Sequence, residues 1–115
     1  MSSQRSDRRD RRNDLLVEIS RLARIAIAGT TSETYRTCGN PGCRCHGAGP
    51  KHGPHMYVSC RGDSGKTTGY YVPKAAHDDI RAGIDAWRAL KEVLRELAGL
   101  NKEGVLERAR DARAR

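Results

Sequence analysis

Four side chains that bind soft or borderline metal ions crowd into one short stretch, with the spacing Cys38-x4-Cys43-x-Cys45-x6-His52. Zinc takes thiolate and imidazole donors in a tetrahedron, and a set that fills all four positions makes a structural site. Gly39, Pro41 and Gly42 let the backbone fold back between the first two cysteines, and Gly47, Gly49 and Pro50 do the same before His52. The donors can therefore converge without helix or strand geometry. The fourth ligand has competitors. His46 directly follows Cys45 and is cramped, His55 lies further along, and Cys60 falls on a strand where it serves equally as a small buried hydrophobe. His52 sits in the same flexible loop as the cysteines and is the leading choice. One structural Zn2+ is thus expected at Cys38, Cys43, Cys45 and His52.

Catalysis is not expected. A catalytic zinc needs an open position and a general base, and no carboxylate lies within residues 38–54. Gly62-Asp63-Ser64-Gly65 has the look of a serine-protease nucleophile segment, but the chain is too short for the scaffold that such a triad needs. Gly65-Lys66-Thr67 lacks the earlier glycines of a phosphate-binding loop, and Arg61-Gly62-Asp63 reads as a turn. No small-molecule substrate is expected either.

The elements that position the cluster follow from periodicity. Residues 1–12 are mostly Arg, Asp and Ser, with little to bury, and predict a disordered basic arm. Asn13 or Asp14 can cap a helix running to about Ala28, because Leu15, Ile19, Leu22 and Ala26 form one stripe and Gly29 can stop it. Residues 30–37 are β-prone and can form a short strand into the cysteines. The Gly- and Pro-rich residues 38–54 predict an irregular zinc loop, and residues 55–72 predict a β-hairpin turning at Arg61-Gly62-Asp63-Ser64-Gly65. A long helix follows from about Ala75 to Gly99, or on to about Ala112, with Ile80, Ile84, Trp87, Leu90, Leu94 and Leu97 on one face. The fold class is α+β: an N-terminal helix, a zinc-stapled loop with a small antiparallel hairpin, and a long C-terminal helix, forming one domain over 13–112. The helices should pack through Leu15, Ile19, Leu22, Ile84, Trp87, Leu90 and Leu94, and the same stripe could pair two copies.

With 37% hydrophobic residues, no Phe and one Trp, any core is small and gains from a staple. The formal net charge of +8 favours polyanionic partners. Arg36, Arg44, Lys51, Arg61 and Lys66, with Arg5, Arg8, Arg9, Arg11 and Arg12 of the arm, are candidate phosphate contacts for DNA or RNA, and Tyr57, Tyr70 and Tyr71 could stack on bases. No stretch is apolar enough to span a membrane, and the N-terminal residues have no apolar core of a secretion signal, so a cytoplasmic protein with reduced thiols is expected.

Three motifs carry a resemblance: Cys-Gly-Asn-Pro-Gly-Cys-Arg-Cys at 38–45, Lys-His-Gly-Pro at 51–54, and Tyr-Val-Pro-Lys at 71–74. Over about residues 29–100 the chain resembles an uncharacterised family of small bacterial proteins with the pattern C-G-x-P-x-C-x-C, K-H-G-P and Y-V-P-K before a long helix. The resemblance implies a three-Cys, one-His zinc loop at Cys38, Cys43, Cys45 and His52. It also implies a setting near transposase or phage genes, hence a nucleic-acid-binding accessory factor of a mobile element. The alternative is a protein-interaction or dimerisation module with a purely structural zinc. The hairpin is poorer in aromatics than the family's, with His55-Met56-Tyr57 where a run of Tyr is usual.

Overall fold

The computed structural model describes residues 2–62 and 64–114. Asp63, in the expected turn, lies outside the described residues, as does Met1 of the expected arm. The architecture is α+β, in the order α1 (Ser2–Ala23), β1 (Thr30–Arg36), a 3-10 turn (Arg44–His46), β2 (His52–Arg61), β3 (Thr67–Val72), a second 3-10 turn (Lys74–Ala76) and α2 (His77–Ala114). No helix among the described residues is long and apolar enough to cross a membrane. The chain divides into two compact units, Met1–Ala26 with Asp85–Arg115, and Ile27–Ile84.

The Ile27–Ile84 unit is built on an antiparallel sheet in the order β1-β2-β3. Central β2 pairs Thr34 with His55 and Ser32 with Tyr57 on one side, and Met56 with Val72 and Tyr57 with Tyr71 on the other. Alternation sends Met56 and Val58 to one face, where they join Val72 and Ile84 in a core flanked by Ile27, Cys60, Ala76 and Ile80. Cys60 thus serves as the small hydrophobe that was one of its two readings. The opposite face carries Tyr57 and Tyr71 as an edge-on pair, ring centroids 5.6 Å apart. β2 begins at His52, inside the loop that was expected to be irregular, because Arg36 pairs with His52 beyond a register shift after Thr34. Gly53 makes this possible. Its φ is +144°, and a Cβ there would sit 2.7 Å from the Thr34 carbonyl oxygen.

Pro73 is extended and ends the sheet. The buried His77 ring donates from Nε2 to the Val72 carbonyl oxygen at 3.0 Å, tying the start of α2 to the end of β3. Asp78 and Asp79 fall in the first turn of α2, where carboxylates meet the positive end of the helix dipole. Neither Asn101 nor Gly104 breaks the helix.

In the helical unit α1 and α2 run antiparallel, as their contacts show. Leu22, Ala86 and Leu90 are buried together, with Ile19, Ala26, Trp87, Ala89 and Val93 around them. Two of the expected contacts differ. Ile84 belongs to the sheet's core, and Leu94 is 43% exposed. One long helix therefore contributes to two cores, Ile80 and Ile84 to one and Ala86 and Leu90 to the other. α1 begins at Ser2 instead of Asn13 or Asp14, and residues 2–12 of the expected disordered arm are helical. Partners far along the chain account for this. Arg5 and Arg8 both pair with Glu107, Arg5 also with Asp111, Arg11 binds Glu96 through two nitrogens, and Arg12 donates to Asn101. Hydrogen bonding from Arg5, then Arg8, holds the Glu107 carboxyl below its ordinary range. α1 ends at Ala23, not near Ala28, because Ile27 leaves to donate its N–H to the Gly83 carbonyl at 2.9 Å and join the sheet's core.

Met56 is fully buried, so Met56→Ala should lower stability by about 2–5 kcal/mol through lost burial and a cavity. Denaturant unfolding followed by hydrogen exchange at the sheet amides checks this. The expected loss falls on the sheet, where Met56 packs.

Candidate metal centre

The loop between β1 and β2 is shaped by its own short-range bonds. Asn40 is its first corner: its side-chain oxygen accepts from the Gly42 N–H at 3.0 Å and its carbonyl from the Cys43 N–H at 3.0 Å. The 3-10 turn that holds Cys45 closes through His46 N–H to Cys43 O and Gly47 N–H to Arg44 O, both 3.1 Å. Gly49 folds back onto the same Arg44 carbonyl at 2.9 Å, and a Cβ at Gly49 would lie 2.6 Å from that oxygen. The glycines are therefore a condition of the loop's path.

This path brings Cys38, Cys43, Cys45 and His52 together, with one donor atom from each within 4.8 Å of the other three. Cys38 Sγ and Cys45 Sγ are 3.7 Å apart, and Cys43 Sγ lies 3.3 Å from His52 Nε2. Zinc–sulfur bonds of about 2.3 Å in a tetrahedron set sulfur atoms about 3.8 Å apart, so the spacing fits a single ion. Three sulfurs and one imidazole nitrogen are a donor set suited to zinc and fill its four positions. Cys45 is buried, Cys38 and Cys43 are half-buried, and His52 is exposed at the rim. The other candidate ligands are placed differently. His46 Nε2 donates to the Cys38 carbonyl at 2.8 Å, His55 pairs with Thr34 in the sheet, and Cys60 packs on the sheet's core.

Supporting groups favour thiolates. The Cys38 N–H points at Cys45 Sγ, 3.3 Å away. The Cys45 backbone N–H, with help from His52, brings the Cys43 thiol down to about 6, whereas burial pushes the Cys45 thiol up. Three thiolates around a dication would leave one net negative charge, and Lys51, which donates from Nζ to the Cys45 carbonyl at 2.6 Å, would stand beside it. Asn40 and this supporting use of Lys51 were not read from the sequence. The Asn-Pro-Gly run was the available signal for the first; nothing local signals the second.

The five candidate phosphate contacts fall into two groups. Arg36 stands opposite His52 on β1, Arg44 lies between two cysteines, and Lys51 is engaged at the cluster. Arg61 and Lys66 flank the β2–β3 turn, which closes through the Gly62 N–H on the Lys66 carbonyl at 2.9 Å. β2 separates the groups. At about 3.3 Å per residue its ten residues span about 30 Å, so the hairpin cations are not beside the zinc loop. Arg36, Arg44, Arg61 and Lys66 are exposed, as are Tyr70 and Tyr71; Tyr57 is half-buried.

Compared with known proteins, residues 5–82 match the family model described as a domain of unknown function (DUF6788). No curated protein and no solved structure matches the chain.

Thiol alkylation tests the geometry. In the metal-free chain Cys43 should react first, with a rate that rises through a midpoint near pH 6, and buried Cys45 last. With one equivalent of zinc all three loop cysteines should be protected while Cys60 is unaffected, as read by mass spectrometry.

Proposed function

The chain belongs to the DUF6788 family, a domain of unknown function, and on that footing we propose that it is a small zinc-stapled protein whose Ile27–Ile84 unit binds nucleic acid. One structural zinc sits on Cys38, Cys43, Cys45 and His52. The observation that carries the binding reading is the placing of exposed cations at two ordered points, Arg36 and Arg44 at the metal loop and Arg61 and Lys66 at the hairpin turn. Cations held on an ordered loop lose less entropy on meeting phosphates than cations on a mobile one. Two described carboxylates of this unit, Glu33 and Asp78, are already paired with Arg81. The resemblance to a family found near transposase and phage genes makes an accessory role in a mobile element the natural setting. The arginines of α1 contribute less than their number implies, because Arg5, Arg8 and Arg11 are spent on carboxylates of α2.

A second reading, a protein-interaction or dimerisation module, is favoured by the exposed Leu16, Val17, Leu94, Val105 and Leu106 of the helices. The two differ in their response to salt. Phosphate contacts release counterions, so affinity should fall with a log–log slope of about −0.9 per phosphate neutralised on duplex and about −0.7 on single strands. Replacing Arg36, Arg44, Arg61 and Lys66 with Ala should flatten the slope at unchanged zinc content. A zinc-loaded wild type that binds neither form at low salt would sink this reading in favour of the second.

A further inference from the structure

The face of the sheet opposite the core points to a more specific partner, and the inference rests on the nucleic-acid reading above. Met56, Val58 and Val72 fix which face is buried. By alternation Tyr57, Ser59 and Arg61 of β2 point the other way, with Gly69 and Tyr71 opposite them on β3 and Ser32 opposite Tyr57 on β1. Tyr71 is 58% exposed, and its edge-on contact with Tyr57, at 69° between ring planes, holds it in one orientation. His55 and Thr34 share this face on the loop side of Tyr57, and on the hairpin side the neighbours are low. Ser59 lies beside Gly69, where a Cβ would meet nothing within 4 Å, so the ground next to the rings is open. Arg61 stands on the same face at the hairpin end of β2, about 13 Å along the strand from Tyr57. Arg36 and Arg44 lie toward its other end.

An aromatic pair on an open sheet face, with cations toward both ends of the central strand, is the chemistry that an unpaired polynucleotide requires. Bases stack on the rings and the backbone phosphates follow the cations. A duplex, whose bases are already stacked on one another, gains only the phosphate contacts. We infer that this face binds single-stranded nucleic acid, with Tyr71 as the stacking platform, Tyr57 as the positioning residue behind it, and Arg61 as a phosphate contact.

The test titrates a short oligodeoxythymidylate, and a duplex of equal length, into the zinc-loaded full chain. Stacking of one base is worth enough that Tyr71→Leu should weaken single-strand binding by about tenfold or more. Tyr71→Phe, which keeps the ring, should bind like wild type, and duplex binding should be little changed by either. Tyrosine fluorescence should be quenched by the oligonucleotide in wild type, with part of that quenching lost in Tyr71→Phe. If Tyr71→Leu loses its zinc, this quenching comparison decides, and unquenched fluorescence overturns the inference. Single-strand binding that is indifferent to Tyr71→Leu overturns the stacking face and leaves the phosphate-binding reading standing. Binding of neither oligonucleotide overturns both and leaves a protein partner for this face.

Discussion

Three sulfur atoms and one ring nitrogen drawn within 4.8 Å of one another are the constraint on which the Ile27–Ile84 unit depends. The connection between β1 and β2 has little apolar surface to bury. Its glycines and prolines give it shape, but ordering each residue costs about 1–2 kcal/mol of chain entropy, and a few turn hydrogen bonds do not offset that. A metal ion bound by the four donors would. Because the ligands lie before, within and after the loop, binding energy there is also folding energy for the strands on either side. Arg36 beside His52 is where that coupling enters the sheet.

A second constraint is economy of apolar residues. α2 gives Ile80 and Ile84 to the sheet's core, then Ala86, Leu90 and Val93 to the helical unit, so one helix supplies two small cores. Neither has a Phe, and only one has a Trp, which is half-buried beneath Lys91. Arginine–carboxylate pairs extend the contact between α1 and α2 past the point where Leu15 ends the apolar stripe. Such exposed pairs are sensitive to salt and contribute little individually. Their main effect is to give a charged segment partners and hence a helical conformation.

Much of this was legible in the residues. Cysteine spacing with glycine and proline between the donors pointed to the cluster, because local turn chemistry alone brings those atoms together. The β2–β3 hairpin was visible in its turn residues Arg61-Gly62-Asp63-Ser64-Gly65 between two strand-like runs, and α2 in its stripe. The features that were hidden all depend on partners distant in sequence. Residues 4–12 look disordered in isolation, since nothing nearby shows that Glu96, Glu107 and Asp111 will meet their arginines. His52 and Gly53 look like loop residues until β1 is set beside them. Ile84 and Leu94 sit on the expected stripe, yet Ile84 packs in the sheet's core and Leu94 is exposed. The loop cations and the hairpin cations are close in sequence, but the extended β2 runs between them.

Metal, sheet and surface would thus form one chain of dependence: an ion on the four donors would order the loop, the loop leads into the start of β2, and β2 carries Tyr57 and Arg61 and pairs with β3, which carries Tyr71. Hydrogen exchange on zinc-loaded and chelated protein tests that dependence most directly. Removing zinc should strip protection from the amides of β1 and of the first half of β2, while the amides of α1 and of α2 beyond Asp85, which have their own core, keep theirs. Sheet amides equally protected with and without the metal would contradict the account, because the loop would then be ordered by something other than its four donors.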